Sequence, residues 1–359
     1  MQCAHPKILE DMDEGCLINR FPEHREEAHL KRTVLFARPH FEQLFSPLEH
    51  CNCSCNQIIS VTNRVLGRVP RPTPEGLAML YRSARRISNY LPKLSPDDYF
   101  VLPNHYSGAK RRRYYEATLR LLRDGEFKSD CYCTMFVKRE NFNPNSKVNP
   151  DPRPIQFRGA KYCVALSRYL KPIEPHLYSL TGDGSWLPST RVIGKGLNQV
   201  QRAMLLKRKL ELFHSPVILG IDASRFDKHV SLELLQVEHF VYLQCINDPE
   251  FQRLLNKQLR NKCFSRDGLK YTTRGRRMSG DMNTALGNCL LMIIMVAAYF
   301  NQYPNLHWDV LVDGDDCLLI IEEEVLQHVL NTLPQTFLTF GHEIRIENIA
   351  RSMAEVVWC

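Results

Sequence analysis

The stretch Leu311-Val-Asp-Gly-Asp-Asp-Cys-Leu-Leu-Ile320 constrains this chain more than any other. Two apolar runs flank it and read as strands, with the Asp-Gly pair as the tight turn between them. That arrangement sets Asp313, Asp315 and Asp316 at the edge of a buried sheet. A carboxylate left unpaired there is costly. A turn that needed only polarity would more often use Asn, Ser or Gly. Something positive must offset so much negative charge.

A second source of carboxylates lies upstream. Val217-Ile-Leu-Gly-Ile221 reads as a short apolar strand that delivers Asp222 to its C-terminal edge, with Asp227 five residues later. A hairpin beside that strand brings Asp222 and Asp315 together. Magnesium is a hard cation, held by one or two carboxylates plus substrate phosphates. Two such ions roughly 4 Å apart activate an attacking hydroxyl and stabilise a leaving pyrophosphate. Metal binding is therefore the compensation that the pattern points to. Between the two acidic segments lies Ser279-Gly-Asp-Met-Asn-Thr-Ala-Leu-Gly-Asn288, which opens a long apolar helix. Ser279 or Asp281 suits a helix cap. A cap does not account for Thr284 and Asn288, four residues apart on one face of an otherwise apolar segment. Polar groups there suit a ribose 2′-hydroxyl, which distinguishes RNA from DNA. Taken singly, each signal is weak. A D-x4-D segment also fits a solvated turn, and Gly-Asp-Asp is an ordinary turn sequence.

Charge adds to this. The chain has 359 residues and a net charge of +8, with 44% hydrophobic and 24% charged residues. From Asp309 to Cys359 there are ten acids and two bases, which leaves 45 bases and 29 acids before it. A basic body with an acidic patch fits a protein that grips phosphates and binds divalent metal. A basic surface with no special partner is the plainer alternative. Thirteen cysteines are scattered, and Cys51-Asn-Cys53-Ser-Cys55 and Cys131-Tyr-Cys133 lack zinc-site spacing. Reduced thiols in a cytosolic setting are expected. The N-terminus is polar and acidic, with no secretory signal, and the apolar run Cys289–Phe300 is too short to span a bilayer.

Along the chain, residues 1–60 are mixed and carry no clear assignment. Prolines 70, 72, 74, 92 and 96 break a partly helical region, and Lys110-Arg-Arg-Arg113 opens a helix to Leu122. Thr134–Lys138 and Arg153–Arg158 read as strands around an Asn/Pro-rich loop containing Lys147, with a helix at 161–169 after them. Helices are expected up to Cys245, at about 248–261, from Gly280 to Phe300, and at 323–333.

The ordered set Asp222…Asp227, Ser279-Gly280…Thr284…Asn288 and Gly314-Asp315-Asp316 resembles motifs A, B and C of viral RNA-dependent RNA polymerases. The wording SGDMNTALGN and GDDC resembles the tombusvirus and carmovirus group of positive-strand RNA viruses. Phe136–Glu140 through Arg153–Arg158, then Ser167–Glu174, resembles that group's motif F region. The resemblance covers residues 105–359. It implies an α+β right-hand polymerase with an antiparallel palm sheet flanked by helices. The division it implies is an N-terminal extension (1–60), fingers (61–205), palm with motif A (206–244), a fingers insertion (245–277) and palm with motifs B, C, D and the start of E (278–359).

The resemblance also implies roles. Asp222, Asp315 and Asp316 become catalytic metal-site carboxylates for two Mg²⁺ or Mn²⁺ ions. Asp227 and Asn288 become the ribose-sensing pair, with Ser279, Gly280 and Thr284 shaping the nucleotide site. Lys138, Arg153 and Arg158 face the incoming triphosphate, while Lys147 reads equally as solvated surface. Arg111, Arg112 and Arg113 track RNA phosphates, and Arg274, Arg276 and Arg277 contact the template strand. RNA template and product, NTPs and a viral accessory replication protein are the expected partners. The expected setting is the host cytoplasm, in membrane-associated replication complexes reached through partners.

Two departures stand out. The family often carries a lysine after the Gly-Asp-Asp hairpin to protonate pyrophosphate, but no lysine follows Lys270. Arg345, His342 or water remains for that role, and arginine holds its proton too tightly to be a good acid. Glu355-Val-Val-Trp-Cys359 resembles the start of motif E, where a thumb should follow. The expectation is a fragment, or one reading frame, of a longer polymerase, with the thumb largely absent, a weak grip on product duplex and activity alone left open. Two rivals remain: a reverse transcriptase, which shares the palm, and an RNA-binding replicase subunit that is inert by itself.

Overall fold

The computed structural model describes residues 9–23, 30–32, 48–125, 129–143 and 148–358. Twelve strands occur among them: β1 (Leu17–Arg20), β2 (Leu30–Arg32), β3 (Leu48–His50), β4 (Cys133–Val137), β5 (Asn141–Phe142), β6 (Pro154–Arg158), β7 (Pro216–Ala223), β8 (Arg260–Ser265), β9 (Lys270–Arg274), β10 (Trp308–Asp313), β11 (Asp316–Glu322) and β12 (Ile344–Ala350). They form a five-stranded sheet (β1-β9-β8-β4-β6), a four-stranded sheet (β10-β11-β7-β12) and a small three-stranded sheet (β2-β3-β5). With the helices, this is a mixed α+β fold.

The four-stranded sheet is antiparallel throughout. Its central strands are apolar on both faces, as expected for strands covered on both sides. Leu219, Leu319, Ile320 and Ile321 are fully buried. The helix Thr284–Phe300 lies against β10 and against the helices Pro74–Ser88 and Leu232–Cys245. It is buried along nearly its whole length. A helix that is apolar all round belongs inside a large core rather than on its surface. Its polar start, Thr284 to Asn288, is therefore held at a fixed place on the core's rim.

Several elements differ from the sequence expectation. The helix read over 248–261 ends at Asn256, and the chain turns through Gly268 (φ +93°) into the β8–β9 hairpin. That hairpin extends the five-stranded sheet, with β8 parallel to β4. The helix expected at 161–169 runs from Ala160 to Tyr178 despite Pro172 and Pro175. The last long helix runs from Leu326 to Thr339 through Pro334. Burial of Phe337 and Phe340 beyond that proline favours continuing the helix. Short apolar periodicity stops too early where a tertiary contact lies past a proline. Among the described residues the cysteines are free thiols, and no helix is long and apolar enough to cross a membrane.

Candidate active site

The β10–β11 hairpin closes as the sequence pattern requires. Asp313 pairs with Asp316, and Gly314 takes φ +79°. No atom lies within 4 Å of where a Gly314 Cβ would sit. Backbone conformation, not space, is what demands glycine there. The Gly314 amide donates to Cys289 Sγ at 3.1 Å, which ties the turn to the buried helix.

Register does the rest. On β7, Asp222 lies opposite Asp316 of β11 on one side and Arg345 of β12 on the other. Asp315 occupies the turn beside them. The residue as a whole is solvent-exposed, while neighbouring protein partly desolvates its carboxyl. Burial raises the Asp315 carboxyl above its usual range, a backbone hydrogen bond opposes this, and Asp316 and Asp222 push it further up. The third acid of the hairpin, Asp313, turns away. It is buried and ion-paired with Lys195 and Arg202. The Gly194-Lys-Gly196 loop thus supplies a cation that sequence reasoning did not assign.

Asp227 is held by a polar chain. Asn288 Nδ2 donates to Asp227 Oδ1 at 2.9 Å, and Asn288 Oδ1 accepts from Arg277 Nε at 2.9 Å. The Arg277 guanidinium is paired with the buried Glu238, which also accepts from Asn283 at 2.7 Å. The Arg277 amide donates to the Asp227 carbonyl at 3.0 Å. Each end of the Asn288 amide therefore has a partner of fixed polarity. Burial pushes the Asp227 carboxyl up to about 6, with Asn288 and Arg277 opposing.

The loop before the buried helix docks on β6. Ser279 Oγ donates to the Pro154 carbonyl at 2.8 Å, and a Cβ on Gly280 would lie 2.6 Å from the Gln156 carbonyl oxygen. Thr284 Oγ1 donates to the carbonyls of Met278 and Asp281, 3.0 Å each. These three residues brace the loop against the strand.

A cleft of about 920 Å³ brings most of the candidates together. Asp222, Asp227, Asp315, Asp316, Ser279, Thr284 and Asn288 line it, with Lys138, Arg153 and Arg345 on its basic side. Lys138 and Arg153 share Glu140, at 2.5 and 3.2 Å, and both remain partly exposed.

Three expectations need correction. Arg158 does not face the cleft. Alternation along β6 turns it to the buried face, where it forms a two-armed pair with Asp281 (2.5 and 3.0 Å) and donates to Asn261 at 2.6 Å. Arg276 is buried too, donating to the Val65 and Gly67 carbonyls and pairing with Asp13 at 2.6 Å. Arg277 touches the wall of the cleft, but it is buried and its guanidinium is taken up by Glu238 and Asn288. Buried guanidinium groups with full sets of acceptors are not free to meet a template strand. Arg274 is exposed at the end of β9, and Arg111, Arg112 and Arg113 are exposed on the helix Gly108–Asp124, outside the cleft. Lys147 lies outside the described residues. His342 is fully buried against Phe226 and His229, and its ring nitrogens have no hydrogen-bond partner among the described residues. Burial and His229 hold its imidazole well below its usual pKa, so it is a neutral packing group rather than an acid.

Among the described residues no group of three or more His, Cys, Asp or Glu side chains is by itself arranged to hold a metal ion. The donor set that is present is open: two facing carboxylates, a third in the turn, and free volume beside them. Magnesium sites completed by substrate phosphates have that chemistry.

The family model described as "Viral RNA dependent RNA polymerase" matches residues 57–359. The chain belongs to that family. It is 36% identical over 299 residues to the RNA-directed RNA polymerase of Oat chlorotic stunt virus (isolate United Kingdom), covering 81% of this chain and 39% of that protein. It is 33% identical over 318 residues to the RNA-directed RNA polymerase of Groundnut rosette virus (strain MC1), covering 86% and 37%. For the RNA-directed RNA polymerase of Tomato bushy stunt virus (strain Cherry) the identity is 36% over 301 residues, covering 83% and 36%. The chain thus spans about two fifths of the length of these curated relatives. The polymerase-family match includes every residue of the cleft except Glu10.

Proposed function

We propose that this chain carries the nucleotidyl-transfer centre of an RNA-directed RNA polymerase, copying an RNA template from NTPs. The observation that carries this reading is the register of Asp222 against Asp316, with Asp315 in the adjoining turn and the Asp227–Asn288 pair in the same cleft. In this reading the four-stranded sheet is the palm, and the five-stranded sheet belongs to the fingers.

Asp222, Asp315 and Asp316 are the residues that would hold divalent ions, Mg²⁺ or Mn²⁺. Two such ions, when bound, activate the primer 3′-hydroxyl and neutralise the leaving pyrophosphate. The chain's own side chains do the positioning. Lys138, Arg153 and Arg345 place positive charge where a triphosphate enters, which reduces phosphate repulsion. Asn288 offers its amide, and Asp227 its carboxylate, to the ribose 2′-hydroxyl, and Arg277 fixes the orientation of the pair. Arg345 lies beside Asp222, so pyrophosphate meets a fixed cation there and takes its proton from water. The exposed Arg111–Arg113 and Arg274 are placed to follow RNA phosphates outside the cleft. Accessory viral protein and membrane-associated complexes in the host cytoplasm belong to the same reading.

The test is single-nucleotide addition to a primed RNA template, with NTP and dNTP compared. Template-directed addition of NTP in strong preference to dNTP is expected. Equal use of both would favour a reverse transcriptase, and RNA binding with no addition would favour an inert replicase subunit.

A further inference from the structure

Arg225 lies between Asp222 and Asp227 and has φ +51° and ψ +50°. An arginine gains nothing from the left-handed region, so the surroundings must hold it there. The conformation matters because the chain reverses at this residue. The Arg225 carbonyl accepts from the Lys228 amide at 2.9 Å and starts the short helix Phe226–His229, which buries Phe226 and turns Asp227 into the cleft. The geometry of one residue therefore sets the spacing between Asp222 and Asp227.

What grips Arg225 comes from three separate segments. Its guanidinium pairs with Glu10, pairs with Asp151 at 2.7 Å and donates to the Asn63 carbonyl at 2.9 Å. Glu10 also pairs with Lys228 at 2.7 Å, so one carboxylate bridges both ends of the reversal. Glu10 is itself anchored. Its amide donates to Asn63 Oδ1 at 3.1 Å, and the Arg68 and Asp13 amides donate to the carbonyls of Asp11 and Leu66. A Cβ on Gly67 would meet the Glu10 carboxylate at 2.2 Å, so that glycine admits it. Asp13 pairs with Arg276, whose neighbour Arg277 holds Asn288 and Asp227. The segment from Glu10 to Asp13 thus connects to Asp227 and Asn288 by two indirect routes, through Arg225 and Lys228 and through Arg276 and Arg277. It lies before residue 57, where the family match begins.

We infer that Glu10 is a positioning residue for nucleotide selection: it holds Arg225 and Lys228 so that Asp227 stays in register with Asn288 and Asp222. This rests on the polymerase reading for its consequence, but not for its physical core. The test separates the two. Glu10→Gln and Glu10→Asp are made in the full chain, and amide deuterium exchange is followed over 222–230 and over β11. For Glu10→Gln, exchange over 222–230 should rise about tenfold while β11 keeps its protection. Glu10→Asp should recover part of the loss. Arg225→Gly removes the Arg225 arm, with its Asp151 and Asn63 contacts, and leaves the Glu10–Lys228 pair, so the double variant should lose clearly less than the sum of the two single changes. In primed addition, Glu10→Gln should raise the KM for NTP and narrow the NTP-over-dNTP preference, with melting temperature little changed. Unchanged exchange over 222–230, or additive effects in the double variant, would overturn the inference. Loosening spread equally over β11 would also overturn it, since that is a general structural role. If the parent chain adds no nucleotide, the polymerase reading fails by itself, and the exchange experiment still decides the coupling.

Discussion

The carboxylate hairpin and the basic shell around it are built on different principles. In the hairpin, position follows from local pattern. Apolar strands, a positive-φ glycine and antiparallel register place Asp222, Asp315 and Asp316 together. In the shell, position follows from distant partners. Arg153 and Arg158 flank one strand five residues apart, yet Arg153 is half exposed at the cleft and Arg158 is sealed against Asp281. The contrast teaches that having an acid does not disqualify a base, since Arg153 pairs with Glu140 and stays accessible; being sealed with it, as Arg158 is, does.

The sharpest way to break this comparison is through the hairpin. Asp315→Asn should lower nucleotide addition on the order of 10³-fold, the scale of lost transition-state charge stabilisation, with the melting temperature unchanged. A variant that keeps most of its addition rate would remove the hairpin's special status. Next come the two arginines. Arg158→Met leaves Asp281 buried without its cation and should cost about 3–5 kcal/mol in urea unfolding, whereas Arg153→Met should cost under about 1 kcal/mol. Equal costs would erase the distinction between shell and core. Asn288→Ala removes a hydrogen bond to a charged partner, worth about 1.5–3 kcal/mol. The NTP-over-dNTP preference, read by competitive addition, should fall roughly 10- to 100-fold.

The smallest effect concerns pH. The folded Asp227 carboxyl titrates near 6, above its ordinary 3.8. The folded state therefore binds more protons between those values, and stability should fall as pH rises through that window. Asp227→Asn should flatten this slope, measured by urea unfolding in chelator between pH 4 and 7. An unchanged slope would assign the pH dependence to another group.

Legibility in the sequence follows the same divide. A short continuous apolar run and a turn glycine are local signals, so β7, β10 and β11 were readable, as was the helix from Thr284. The β8–β9 hairpin was not, because the segment after Asn256 is mostly polar and shows no strand pattern until β4 supplies its neighbour. Arg277 showed only as one of three bases before an apolar helix. Its partner Glu238 lies on another helix, and no spacing announces that pair. Glu10 carried no signal, since a single acid in a mixed segment has no periodicity. The one hint lay inside the motif: a basic residue between two carboxylates that must face the same cleft.

The central claim is that the clustered carboxylates exist to hold divalent ions for nucleotide addition. Titration of Mn²⁺ followed by electron paramagnetic resonance, with NTP present, tests it most directly. The account predicts Mn²⁺ bound in the presence of NTP and a clear loss of that binding in Asp315→Asn. Identical Mn²⁺ binding by both proteins would contradict it.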